Sequence, residues 1–77
     1  MKVYIFKVRF YYSDDIVMYA VSAKSEDNAE MLLLDEVYRK YLRYAKCDTT
    51  LVGVCDHFYS ISNGDSLELE EGDVISL

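Results

Sequence analysis

The chain has no proline and no tryptophan, and among its 77 residues only three are glycine, two cysteine and one histidine. Linkers and disordered tails are usually rich in Pro, Gly or Ser, so this scarcity of chain breakers reads as one folded domain spanning 1–77. The length also allows one domain and not two. A chain of this size buries roughly 60% of its unfolded surface, enough for a modest core but not for a deep catalytic cavity. Cys47 and Cys55 are too few for a disulfide framework. No apolar run approaches the roughly 20 residues of a membrane-crossing helix. Met1-Lys2-Val3-Tyr4 leads into an alternating segment and not into a signal-type apolar stretch. The expectation is therefore a cytoplasmic protein with both thiols reduced.

The most informative absence is that of cations after Lys46. The sequence holds 8 basic and 14 acidic residues, a formal charge of −6. Residues 1–47 contain all eight basic residues and seven acids, a net +1, whereas 48–77 contain seven acids and no Lys or Arg, a net −7. A general nucleic-acid binder needs cations for phosphate, so direct nucleic-acid binding is not expected. Charge concentrated in one region points to a charged partner, through attraction or mimicry. Acids spread over the surface would only keep a small protein soluble.

What is present is strongly patterned. Residues 2–12 alternate, with Tyr4, Phe6, Val8, Phe10 and Tyr12 on one face and Val3, Ile5, Lys7, Arg9 and Tyr11 on the other, which predicts a strand. Ser13-Asp14-Asp15 supplies turn chemistry. Residues 16–23 predict a second strand, apolar on both faces and hence central or partly covered, paired with the first as an antiparallel hairpin. Ser25 reads as a helix N-cap, with Glu26 and Asp27 in the first turn where negative charge suits the dipole. The helix is expected to reach about Lys46, with an apolar arc from Leu33 and Val37 through Tyr41, Leu34 and Tyr38 to Met31 and Leu42. Tyr38, Tyr41 and Tyr44 lie toward the arc's edge, where a ring can be buried and its hydroxyl wet. Leu32 is an exception, falling among the charges. Asp35–Arg39 and Glu36–Lys40 are i,i+4 pairs in the favourable order.

Residues 50–62 read as a third strand, with Gly53 marking a bulge. Asn63-Gly64 is a hairpin turn signal, 66–70 alternate with Leu67 and Leu69 inward, Glu71-Gly72 turns again, and 73–77 make a short last strand. The predicted fold class is α+β: a two-layer sandwich, an antiparallel sheet of 4–5 strands with one helix packed on one face, in the order ββαβββ. A β-grasp arrangement is the topological alternative.

Catalytic chemistry has little to stand on. The single histidine, His57, shares a strand face with Cys55, so a thiolate–imidazole pair is conceivable, but a lone strand His beside a small buried Cys is the simpler reading. No nucleophile-elbow glycine pattern surrounds Ser60. Cys47, Cys55 and His57 lack the paired spacing of a zinc module. Neither GxxxxGK nor GxGxxG occurs. Carboxylate pairs such as Asp14-Asp15 and Glu70-Glu71 belong to turns and solvated faces, where a shifted catalytic pKa is not produced. Lys7, Arg9 and Tyr11 combine cations with an aromatic as stacking platforms do, yet the RNP pattern of an RNA-recognition motif is absent. The chain is expected to be no enzyme and to need no cofactor or metal.

The region with most scope for function is the acidic last third. Asp65, Glu68, Glu70, Glu71 and Asp73 cluster around two turns, and with Asp14 and Asp15 nearby they would form one acidic surface. Such a surface fits a basic groove on a protein that normally holds DNA or RNA, acting by steering and by occupying phosphate positions. Tyr11, Tyr12, Phe58 and Tyr59 are candidate aromatic anchors. A homodimer through the exposed second-strand face is the alternative.

The succession of strand, acidic turn, strand ending Val21-Ser22-Ala23, then Ser25-Glu26-Asp27-Asn28-Ala29 and a helix resembles many small acidic α+β proteins of phages and mobile elements, anti-CRISPR proteins among them. The resemblance covers about residues 2–45 and concerns pattern, not a signature motif. It implies inhibition by binding, with a CRISPR effector or another nucleic-acid-processing complex as partner, and carries no residue roles. Leu69-Glu70-Glu71-Gly72-Asp73-Val74-Ile75 is similar to the last hairpin of ubiquitin-like sulfur carriers, but this chain ends Ile75-Ser76-Leu77 and not in the Gly-Gly tail that their chemistry uses.

Overall fold

The computed structural model describes residues 2–11, 15–41, 46–56, 59–62 and 65–77. Among these, six strands and one helix follow in the order ββαββββ: β1 Lys2–Phe10, β2 Ile16–Ala23, α1 Glu26–Tyr41, β3 Cys47–Cys55, β4 Tyr59–Ser62, β5 Asp65–Glu68 and β6 Val74–Ser76. Four strands form one antiparallel sheet in the order β3-β1-β2-β6, and β4 pairs with β5 in a two-stranded sheet of its own. With α1 packed on one face of the larger sheet, the class is the expected α+β. A β-grasp sheet sets its first and last strands side by side in parallel; here β6 flanks β2 and every pairing is antiparallel, so that alternative falls.

Alternation in β1 builds the core. Tyr4, Phe6, Val8 and Phe10 are all buried on the helix face, while Lys7 and Arg9 between them are exposed. The antiparallel register brings Val21, Tyr19 and Val17 of β2 onto that same face, and Ala29, Leu33 and Val37 of α1 close it. Burying each large apolar side chain contributes roughly 1.5–3 kcal/mol. Strand β2 lies inside the sheet, as its two apolar faces suggest.

Ser25 caps the helix as its position predicts: the Asn28 N–H donates to Ser25 Oγ at 3.1 Å, and the Ala29 N–H donates to the Ser25 carbonyl at 2.9 Å. The described part of α1 runs to Tyr41; residues 42–45, where its expected end falls, lie outside the described residues, and Cys47–Thr50 pair with Phe10–Lys7. The buried stripe is rotated from the predicted arc. Ala29, Leu33 and Val37 are buried with Leu32 and Glu36 half-buried beside them, whereas Met31 is 66% and Tyr38 45% exposed. Tyr38 thus does not bury its ring at the edge of the layer. The cause is β6: by joining the sheet outside β2 it places Val74 on the helix face, and Leu32 packs against the same core there. Leu32 is therefore no anomaly. At the edge of that stripe Arg39 pairs with Glu36, three residues back.

The expected single strand 50–62 is two. β3 pairs with β1 until Cys55 meets Val3, one residue from the start of β1, where the ladder ends. Val52 is an extra residue between Leu51, opposite Phe6, and Gly53, opposite Ile5, so the bulge lies beside Gly53 as expected. It turns Cys55 onto the face opposite the helix, against the cluster of Val3, Ala20 and Leu69. β4 and β5 form a hairpin with Ser62 opposite Asp65; the Asn63-Gly64 turn itself lies outside the described residues.

Candidate partner-binding surface

The acids of the last third are positioned by one locked turn. Leu69, 6% exposed, anchors its start beneath the sheet. The Glu70 N–H donates to Asp73 Oδ2 at 2.9 Å, and the Asp73 N–H donates to the Glu70 carbonyl at 3.0 Å. Gly72 has φ of 93°, a conformation other L residues adopt only with strain. Its N–H donates to the Ser22 carbonyl at 2.8 Å, and the Ser22 N–H donates to the Asp73 carbonyl at 2.9 Å. The turn is thus fastened to the end of β2, and Glu70, Glu71 and Asp73 stand exposed upon it. Lys24 Nζ lies 3.6 Å from Glu71 Oε1, an exposed pair of the kind that contributes at most about 1 kcal/mol.

Beside this turn α1 and β6 flank a groove of about 590 Å³. Leu32 and Val74 are its apolar lining, Asp35, Glu36 and Arg39 line it from the helix, and Gly72 and Asp73 from the turn. Asp35, Glu36 and Asp73 outnumber the single guanidinium, so the groove is acidic.

The remaining predicted residues are not all gathered here. Asp15 is exposed, and its carbonyl accepts the Phe10 N–H at 3.1 Å, closing the β1–β2 hairpin. That hairpin end and the Glu70–Asp73 turn lie at opposite ends of β2, about 23 Å apart for seven strand residues. Asp15 therefore does not share one acidic surface with Glu70, Glu71 and Asp73. Asp14 and Tyr12 lie outside the described residues, as do His57 and Phe58. Asp65 and Glu68 bound β5, and Tyr59 opens β4 directly opposite Glu68, so backbone pairing sets those two side by side.

Tyr11 is 55% exposed and donates its hydroxyl hydrogen bond to Asp48 Oδ2. That bond to a carboxylate holds the phenol in its neutral form, raising its pKa above the usual 10.0, with desolvation and the Asp48 charge adding to it. Tyr11 is thereby tied to the β1–β3 side of the sheet. Cys47 is half-buried and its thiol pKa is raised by burial first and by Asp48 second. Such a thiol is less nucleophilic than a free one. Cys55 packs in the smaller core. Among the described residues no three His, Cys, Asp or Glu side chains are grouped to hold a metal ion, and no helix is long and apolar enough to cross a membrane.

No protein-family model, curated protein or solved structure matches this chain. The surface must therefore be read from its own residues. Asp35 and Glu36 are the members that sequence reasoning treated only as helix-surface charges. A signal was present: Leu32, apolar among those charges and one turn before Glu36, marks a flank of the helix that faces something.

Proposed function

We propose that this chain is a non-enzymatic protein-binding module that presents fixed carboxylates to the basic surface of a partner which normally holds DNA or RNA. The observation that carries the reading is the turn bearing Glu70, Glu71 and Asp73, exposed and fastened by four hydrogen bonds beside the acidic groove. Carboxylates held rigidly stand in for phosphates at little ordering cost, and their field steers encounter with a cationic partner. The pattern shared with small phage and mobile-element inhibitors, anti-CRISPR proteins included, makes a CRISPR effector the first partner to try. Binding to purified RNA-guided effector complexes at low and high salt is the test. Affinity should fall with salt, and by about tenfold or more in Glu70→Lys/Glu71→Lys. Binding indifferent to both would remove the charge-based reading.

Self-association is the second reading, and β3 favours it over the β2 face first considered. On that face Ala20 and Ser22 are fully buried, leaving Ile16 as its exposed residue. β3 is instead a nine-residue edge strand with no Lys or Pro, exposing Val52 and Val54, and such edges invite pairing. Sedimentation of the wild type against Val52→Lys decides: a monomer at high concentration dismisses the reading.

A further inference from the structure

We propose that the groove between α1 and β6 is a strand-addition site for an extended partner segment whose groove-facing positions, every second residue, are apolar and basic in turn. The inference rests on the protein-binding reading and gives it a place and a ligand chemistry. β6 is the outer strand of the sheet, and no described strand pairs with its far side. Antiparallel residues alternate between the two neighbours. The Leu77 N–H donates to the Met18 carbonyl at 2.8 Å, and Ile75 pairs with Ala20, so Leu77 and Ile75 direct their backbones toward β2. Val74 and Ser76 therefore direct theirs outward, offering N–H and C=O groups to an added strand. A strand added there continues the sheet beneath the flank of α1. Its helix-facing side chains enter the groove, where Leu32 and Val74 receive an apolar residue and Asp35, Glu36 and Asp73 receive cations. Arg39 already pairs with Glu36, and two carboxylates remain in excess of it. Charge complementarity selects the occupant. The other strands with an unpaired side among the described residues, β3, β4 and β5, carry no Lys or Arg, so a second copy offering one of them lacks the required chemistry.

The probe is a short synthetic peptide of the repeat Val-Thr-Lys-Thr, which sets valine and lysine in turn on one face of the strand, compared with the same repeat carrying glutamate in place of lysine, followed by amide NMR on the full chain. The lysine peptide should bind, the glutamate peptide should not, and the largest shifts should fall on Val74, Ser76 and the Leu32–Arg39 face. Ser76→Pro deletes an outward N–H without touching the β2 ladder and should weaken binding up to about tenfold. Asp35→Lys, on the helix surface, should weaken it by about tenfold without any change to the sheet. Lysine-peptide shifts confined to Glu70 and Glu71, with Ser76→Pro binding as wild type, would overturn the groove while leaving the acidic-surface reading intact. No binding by the lysine peptide, alongside salt-dependent binding of an effector complex, would do the same. Peptide-free dimerisation abolished by Ser76→Pro would overturn the choice of occupant in favour of a second copy.

Discussion

The two faces of the four-stranded sheet come from alternate residues of the same strands, yet they are unlike. The helix face gathers Tyr4, Phe6, Val8 and Phe10 with Tyr19, Val21 and Leu33 into a continuous core. The opposite face buries Val3, Ala20 and Leu69, with Ile5, Cys55 and Ile75 partly covered, and then gives way to exposed Lys7 and Arg9. Every buried member of that smaller cluster lies toward the end of the sheet where the turn bearing Glu70, Glu71 and Asp73 is fastened. One face thus supplies most of the stability, and the other supplies the anchor for the acidic turn. Stability and binding are separable in this molecule to the extent that the faces are.

The largest expected effect lies on the helix face. Leu33→Ala removes a fully buried side chain from the middle of the main core, and should cost about 2–5 kcal/mol, read by urea unfolding. Against a total of about 5–15 kcal/mol that is a large share. Leu69→Ala should cost about 2 kcal/mol, the lower end of the same range, because the few residues around it have room to collapse. It should also release the turn, so hydrogen exchange at the Gly72 N–H should quicken more than at β1 amides. If Leu69→Ala proves as costly as Leu33→Ala, the second face is a core of equal rank and the division fails.

How much of this was legible beforehand follows from which contacts are local. The alternation of β1, the β1–β2 hairpin, the Ser25 cap and the bulge beside Gly53 each depend on a few neighbouring residues, and each agrees with the structure. The division of 50–62 depends on where the ladder between β1 and β3 ends, which no local pattern in 50–62 reports. The groove needed the placement of β6 outside β2; until Val74 is known to lie on the helix face, Leu32 has no explanation. The expectation of one acidic surface failed for Asp15 for the same reason, because strand register, not sequence proximity, sets the distance between turns.

A smaller effect tests the cap. Ser25→Ala removes the acceptor for the Asn28 N–H and should cost about 1 kcal/mol. The loss should leave peptide binding at the groove unchanged, since Leu32–Arg39 lie in the second and later turns of α1. A cap variant that weakened binding as much as Asp35→Lys would tie the groove to the helix start and blur the separation of faces.

The smallest effect belongs to the open end of the second face, where Tyr11 donates to Asp48. The raised pKa means that the folded state favours the neutral phenol more than the unfolded state does. Stability from this bond is therefore fully present below the unfolded value near 10 and is lost as pH rises through the higher folded value. Phenolate absorbance should show a transition above the ordinary range that is missing in Tyr11→Phe, and Asp48→Asn should bring that transition down, because the first cause of the shift is the bond to the carboxylate and the third its charge. Tyr11→Phe should flatten the corresponding alkaline loss of stability in urea unfolding while leaving the neutral-pH midpoint almost unmoved, since Tyr11 is more than half exposed. A large neutral-pH loss in Tyr11→Phe would mean that the β1–β3 end of this face contributes to folding as the Leu69 end does, and the second face would then be a continuous layer and not a local anchor.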